Sequence, residues 1–115
     1  MEFTDEFAAW WTSLDESVQA RVERAVGLLR QIGPQLGAPL TKKVQSSRHA
    51  KMRELRVQYR GRPFRIFYAF DPRQHAILLT GGDKTGDGRF YQRMVRVADE
   101  LYDVYLTELT EEGLI

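Results

Sequence analysis

The sequence of 115 residues contains no cysteine and only two histidines. A disulfide framework and a thiolate nucleophile are therefore excluded, and two histidines do not predict a metal site or a cofactor. No apolar run approaches the roughly 20 residues of a membrane-spanning helix, and residues 1–5 lack the basic and apolar regions of a signal peptide. We expect a cytoplasmic protein with no membrane partner, folded as a single domain over residues 1–115.

Several common catalytic motifs are also missing. The chain has no HExxH, no GxSxG and no complete phosphate-binding loop. The glycine cluster at residues 81–88 contains the run GDKT, but it lacks the GxxxxGK[ST] spacing that cradles a nucleotide phosphate. Enzyme classes that depend on these motifs are not indicated.

The sequence does contain an uneven distribution of charge. Seventeen Lys and Arg residues nearly balance sixteen acids, for a net charge of +1. Nine of the seventeen basic residues fall between residues 41 and 70, where Glu54 is the single acid. Such a concentration predicts a surface that binds a polyanion.

Three helices are predicted from apolar residues that recur at helical spacing. The first two cover residues 5–14 and 17–32 and form a hairpin with a very short link at Asp15. Gly33 and Pro34 end the second helix. The third helix covers residues 90–109, whose apolar residues form one long face.

Three strands are predicted at residues 52–59, 64–70 and 75–80, separated by turn sequences. Residues 81–88 are expected to break the sheet, and residues 35–50 are expected to form a loop. The predicted class is α+β, with an N-terminal helical hairpin, an antiparallel meander of three or four strands and a C-terminal helix. A short strand at residues 2–4 is a further possibility. We expect all helices on one face of the sheet and Arg65 on a basic, uncovered face.

These elements and motifs resemble the RelE/ParE superfamily of toxins, and most closely its HigB-like branch. The resemblance is carried by the runs MRELR at residues 52–56, GRPFRIFYAFD at 61–71 and ILL at 77–79, followed by Lys84. It implies a RelE/ParE-like fold and the toxin of a type II toxin-antitoxin system. Such a toxin cleaves messenger RNA on the ribosome and is neutralised by a cognate HigA-like helix-turn-helix antitoxin.

The resemblance also implies candidate catalytic residues. It places Arg65 at the phosphate-contacting strand arginine, Arg56 at the end of the preceding strand motif, and Lys84 and Tyr91 at the basic and aromatic positions that follow. Two positions differ from the RelE pattern, because Thr85 replaces an arginine proposed as general acid and Glu54 replaces a basic residue proposed as general base. The candidates for proton transfer are then Glu54, His49, Lys51 and Lys84.

The remaining basic residues of the central segment are predicted to bind RNA or the ribosome through phosphate contacts. They are Lys42, Lys43, Arg48, Lys51, Arg53, Arg60 and Arg62. Two other interpretations stay open: a non-enzymatic gyrase inhibitor like the ParE branch, and a catalytically degenerate module that only binds an antitoxin. In a purely structural role, Arg56 and Arg65 would instead pair with carboxylates across the sheet.

Overall fold

The computed structural model describes residues 1–115, and its first helices form the predicted hairpin. Helix α1 covers Asp5–Ser13 and helix α2 covers Glu16–Ile32. Each begins at a side-chain cap, since the hydroxyl of Thr4 accepts a hydrogen bond from the backbone N–H of Phe7 and the carboxylate of Asp15 accepts one from Val18. Helix α2 ends at Gly33, whose φ of 73° is accessible to glycine.

Five strands form one sheet, which confirms the predicted α+β class. They are β1 (Glu2–Phe3), β2 (Thr41–Lys43), β3 (Arg53–Tyr59), β4 (Arg62–Phe70) and β5 (Ala76–Asp83). The order across the sheet is β1-β5-β4-β3-β2, in which β2 to β5 form an antiparallel meander and β1 is parallel to β5. Helix α3 (Phe90–Glu111) follows the sheet.

The tight turn between β3 and β4 sets the register on which the site depends. Arg60 and Gly61 both have positive φ, at 49° and 76°, which is the backbone of a two-residue hairpin turn. The resulting register pairs Arg56 with Arg65 directly across the two strands. Side chains of paired residues lie on the same face of a sheet, as do those two positions apart, so Glu54 joins both arginines.

Two predictions about the ends of the sheet were wrong. The predicted loop at residues 35–50 contains β2, and β5 continues through the glycines that were expected to break the sheet. A Cβ on Gly81 would lie 2.5 Å from the ring of Trp10, and one on Gly82 would lie 2.9 Å from the ring of Phe90. These glycines therefore stay in the strand and allow aromatic rings to lie directly on its two faces.

Helices cover both faces of the sheet, so the prediction that all helices pack on one face was also wrong. The first face packs against α1 and α2 through Leu55, Val57, Phe64, Ile66, Tyr68 and Leu78. The second packs against α3 through Phe67, Ala69, Ile77 and Leu79. Arg65 lies on this second face. Because α3 packs on the apolar residues of the face, Arg65 is buried instead of open to solvent.

No helix of the structure has both the length and the apolar character needed to cross a membrane.

Candidate active site

A buried carboxylate and two arginines meet on the α3 face of the sheet. The Oε1 atom of Glu54 lies 3.7 Å from Nε of Arg56 and 3.6 Å from Nε of Arg65. The first turn of α3 adds Tyr91, whose hydroxyl donates to Glu54 Oε1 at 3.0 Å and accepts from Arg65 Nε at 3.3 Å. We call Glu54, Arg56, Arg65 and Tyr91 the Glu54 cluster.

The carboxylate of Glu54 is only partly satisfied. Its side chain is 4% exposed, and Oε2 is a buried side-chain polar atom with no hydrogen-bond partner in the protein. The two guanidinium groups compensate the negative charge, but at 3.6–3.7 Å they are beyond normal hydrogen-bond length. A buried acceptor left without a donor is uncommon in native structures and is a feature of strained or catalytic sites.

The two arginines of the cluster occupy different environments. The side chain of Arg65 is 5% exposed and donates from one of its terminal nitrogens to the carbonyl oxygen of Phe64 at 3.0 Å. The side chain of Arg56 is 38% exposed and lines an open cleft, whereas Arg65 does not line it. Arg56 can therefore contact a bound anion directly, while Arg65 contacts Glu54 and Tyr91 without lining the cleft.

Burial and the hydrogen bond to Glu54 raise the pKa of Tyr91 above its usual value of 10.0, although Arg65 opposes this shift. The phenol is consequently neutral near pH 7 and able to donate a hydrogen bond. Lys84 also contacts Tyr91, with its ammonium nitrogen 5.4 Å from the ring centroid in a cation–π contact. The backbone N–H of Lys84 donates to the carbonyl of Pro63 at 3.0 Å and fixes this loop beside β4.

The cluster forms part of a cleft of about 330 Å³ with basic walls. Strand β2, which sequence analysis missed, supplies Lys42 and Lys43, and the segment after it supplies Ser46. Lys84 also lines the cleft. No three His, Cys, Asp or Glu side chains are grouped in a way that could hold a metal ion. The cleft thus offers cations, a phenol and a carboxylate to an anionic ligand.

The structure does not bring His49 into this cluster. Its Nε2 atom lies 2.7 Å from Asp103 Oδ1 of α3, and its ring packs edge-on against Tyr102. Arg48 pairs with the same carboxylate, and the hydrogen bond from Arg48 holds the pKa of Asp103 below its usual value. Arg48 and His49 therefore fasten the loop between β2 and β3 to α3.

The other predicted RNA-binding residues are spread over the surface. Arg53 donates to the hydroxyl of Thr41 at 2.9 Å, Arg62 pairs with Asp83 at 3.0 Å, and Arg60 lies over the ring of Tyr59. Lys51 is exposed and forms no ion pair. Only Lys42 and Lys43 of this group line the cleft.

Sequence analysis overlooked a second basic group, on the first half of α3. Arg89, Arg93 and Arg96 are exposed and lie together along a shallow hollow beside the cleft. The available signal was their spacing of four and three residues, which places side chains on one face of a helix. They were missed because residues 71–115 are acidic in total, so the local excess of arginine was hidden.

Comparisons with known proteins bear on this arrangement. Residues 9–103 match the family described as "Phage derived protein Gp49-like (DUF891)". The chain is 37% identical over 109 residues to the putative toxin HigB2 of Mycobacterium tuberculosis (strain ATCC 25618 / H37Rv), covering 93% of this chain and 54% of that protein. The chain thus spans about half the length of HigB2.

A second relative matches over more of its own length. The putative toxin HigB3 of the same organism is 41% identical over 98 residues, covering 84% of each protein. Among solved structures, the RelB-RelE antitoxin-toxin complex from Methanococcus jannaschii matches with a TM-score of 0.57 at 11% identity, covering 79% of this chain and 99% of that one. At this identity the structural match supports the fold alone, and it confirms the predicted RelE-like architecture.

Proposed function

Because the chain belongs to the Gp49-like family, and its HigB relatives confirm the predicted resemblance, we propose that it is a toxin that cleaves messenger RNA on the ribosome. The observation that carries this proposal is the Glu54 cluster. It combines a carboxylate with a free acceptor atom, two guanidinium groups and a neutral phenol beside a cleft lined by lysines. Pairing of Arg56 and Arg65 with Glu54 also suits a purely structural role, so the proposal depends on the cleft that Glu54, Arg56, Lys84 and Tyr91 line together.

The reaction we envisage is an internal transfer at the phosphate. The carboxylate of Glu54 accepts the proton of a ribose 2′-OH, and the 2′-oxygen forms a bond to the adjacent phosphorus. The bond from phosphorus to the 5′-oxygen breaks, and Lys84 supplies the proton that this oxygen takes up. The products are a 2′,3′-cyclic phosphate on one fragment and a 5′-OH on the other.

Charge develops on the phosphate oxygens during this step, and the cluster is suited to stabilise it. Arg56 is exposed to the cleft and presents a planar fork of donors to two of these oxygens. Arg65 is a positioning residue in this scheme, because it is buried and contacts Glu54 and Tyr91. Tyr91 keeps Glu54 oriented and offers its ring edge to the base or ribose.

The proposal includes two partners. The ribosome would present the messenger to the cleft, and a HigA-like antitoxin would neutralise the toxin. Support for the antitoxin comes from the HigB relatives, which are putative toxins, and from the RelB-RelE complex, which is an antitoxin-toxin pair. The cytoplasm, where ribosomes and messengers meet, is the compartment we propose.

The experiment is induced expression followed by mapping of RNA 5′ ends. We expect growth arrest and new ends inside coding regions, absent from a messenger whose start codon is removed. Arg56→Gln and Lys84→Gln should each lower cleavage by about 10²- to 10³-fold, as loss of one transition-state donor does. Arg24→Gln, an exposed arginine of α2, serves as the control and should cleave normally.

Two outcomes would contradict the proposal. Intact messengers together with broken chromosomal DNA would indicate a gyrase inhibitor. Continued growth at full expression, with the protein folded, would indicate a module without activity. Restoration of growth by a helix-turn-helix protein encoded in the neighbouring reading frame would support the proposed antitoxin.

A further inference from the structure

The exposed arginines at the start of α3 lie beside the cleft and are not used by the cleavage scheme. We infer that Arg89, Arg93 and Arg96, which we call the arginine face, bind phosphates of the messenger strand beyond the scissile position. This inference rests on the proposed function, since it assumes that the strand enters the cleft at the Glu54 cluster. It adds a path for the RNA and a second binding surface.

Between the cleft and the arginine face lie surface hollows that share lining residues with one another. Ser46 and Tyr91 line both the cleft and a neighbouring hollow of about 390 Å³. Gln92 and Arg96 line both that hollow and a third one of about 300 Å³, which Arg89 and Arg93 complete. A strand leaving the scissile phosphate beside Tyr91 can therefore be followed over adjoining hollows to Arg96.

The charges of the arginine face are available for a ligand. Arg89 and Arg96 are exposed and form no ion pair, and Arg93, whose side chain is 57% exposed, pairs only with Asp87 at 2.8 Å. The rise of a helix separates Arg89 from Arg96 by about 10 Å. Arg89 and Arg96 are therefore far enough apart to contact different phosphates of one strand.

Two acidic residues of α3 limit where an RNA strand can bind beside the arginine face. Asp99 and Glu100 also line the middle hollow, about one helical turn beyond Arg96 along α3. The carboxylate of Asp99 accepts hydrogen bonds from the hydroxyl of Ser47 and the backbone N–H of Arg48, and Glu100 is exposed. Phosphates would be repelled at this point, so the strand must follow the first half of α3 and turn away before the second half.

Single-stranded RNA fits this surface better than a folded protein does. The hollows are shallow and open, and the third is lined by Arg89, Gln92, Arg93, Arg96 and a single apolar residue, Val97. Guanidinium groups bind phosphate oxygens in pairs, and a flexible strand can follow a curved groove. A protein partner would require apolar anchors, and the third hollow offers only Val97.

The test compares two oligoribonucleotides made resistant to cleavage by 2′-O-methyl groups, one of four nucleotides and one of twelve. Binding is measured by fluorescence anisotropy over a series of salt concentrations, with the whole protein. We expect the wild type to bind the longer strand more tightly and with a steeper salt dependence. The double variant Arg89→Gln/Arg96→Gln should lose about 1.4 from that slope, which corresponds to two lost phosphate contacts on a single strand.

The shorter strand, which fits the cleft alone, should bind the double variant as it binds the wild type. Arg24→Gln is the matched control for removal of an exposed arginine. An unchanged slope for the twelve-nucleotide strand would overturn the inference. So would a double variant that binds this strand normally but no longer pellets with messenger-free ribosomes, because the arginine face would then belong to ribosomal RNA. A wild type that shows the predicted slopes but cleaves no messenger would instead contradict the proposed function.

Discussion

Two buried carboxylates of this protein have the same types of neighbour but are satisfied to different degrees. Asp71, at the turn after β4, contacts an arginine and a tyrosine, Arg73 and Tyr105. Glu54, on β3, contacts two arginines and Tyr91. Both acids are almost completely shielded from solvent.

The carboxylate of Asp71 is saturated with hydrogen bonds. It accepts from the backbone N–H groups of Arg73 at 2.8 Å and His75 at 3.1 Å, from the side chain of Arg73 at 2.9 Å, and from the hydroxyl of Tyr105 at 2.9 Å. Burial alone would raise the pKa of Asp71, but these bonds outweigh burial and hold it below its usual value of 3.8. Glu2 joins Arg73 and Tyr105, so the network ties β1, the turn and α3 together.

Glu54 has one hydrogen bond and one unpaired oxygen. The difference teaches that similar residue types serve two purposes in one small domain. A saturated carboxylate stabilises the fold, whereas Glu54 has spare acceptor capacity and lines the cleft, where it is placed to take a proton. Substitutions at matching positions of the two networks should therefore change different measurements.

The largest effect is expected for Glu54→Gln. The amide retains the shape and still accepts from Tyr91, but it cannot take a proton, so cleavage should fall by about 10²- to 10⁴-fold. The free energy of unfolding should also fall, by up to about 3–5 kcal/mol, because the variant leaves the buried guanidinium of Arg65 without its counter-charge. The measurements are cleavage rate per folded molecule on programmed ribosomes and urea unfolding. If Glu54→Gln lowered stability but left the cleavage rate per folded molecule unchanged, Glu54 would have the structural role that we assign to Asp71.

Asp71→Asn should lower stability without lowering cleavage. It removes the charge that Arg73 and several N–H groups surround, and breaking a buried pair of this kind costs about 3–5 kcal/mol. The midpoint of urea unfolding should decrease accordingly, while the cleavage rate of the folded fraction remains that of the wild type. Equal stability of the variant and the wild type would show that the network does not stabilise the fold.

The tyrosines that contact the two carboxylates, Tyr105 at Asp71 and Tyr91 at Glu54, should show the same contrast with smaller effects. Tyr105→Phe should cost about 1.5–3 kcal/mol of unfolding free energy, as loss of a hydrogen bond to a charged group does, and leave cleavage unchanged. Tyr91→Phe should lower the cleavage rate, because Glu54 loses the group that orients it. If both variants lost only stability, Tyr91 would have no role beyond that of Tyr105.

The smallest expected effect is a difference in pH dependence. The pKa of Asp71 is depressed in the folded protein, so its contribution to stability is complete above the unfolded pKa and is lost as pH falls through the folded value. The stability difference between the wild type and Asp71→Asn should therefore shrink below about pH 4. Unfolding curves collected from pH 7 to pH 2.5 measure it, and a difference that grows in acid would contradict the assigned shift.

Much of the architecture follows from local sequence signals. The spacing of apolar residues, the caps at Thr4 and Asp15 and the glycine at the end of α2 were sufficient to predict the hairpin and the start of α3. The turn at Arg60 and Gly61 likewise indicated the pairing of β3 with β4.

The remaining features depend on contacts that no local pattern contains. Gly81 and Gly82 are typical of a sheet break until the rings that cover them are known. Alternation placed Arg65 opposite Phe64 correctly, but it could not show that α3 would cover that face and bury the arginine. The catalytic roles of Arg56, Arg65, Lys84, Tyr91 and Glu54 remain predictions that the geometry of the cluster supports.

The central claim is that Glu54 activates a ribose hydroxyl for attack on the neighbouring phosphate. The chemistry of the RNA ends made by the purified protein on programmed ribosomes tests it most directly. We expect fragments that end in 2′,3′-cyclic phosphate and begin with 5′-OH, formed by the wild type and lost in Glu54→Gln. Fragments with 3′-OH and 5′-phosphate ends, or cyclic ends formed at an equal rate by the variant, would contradict it.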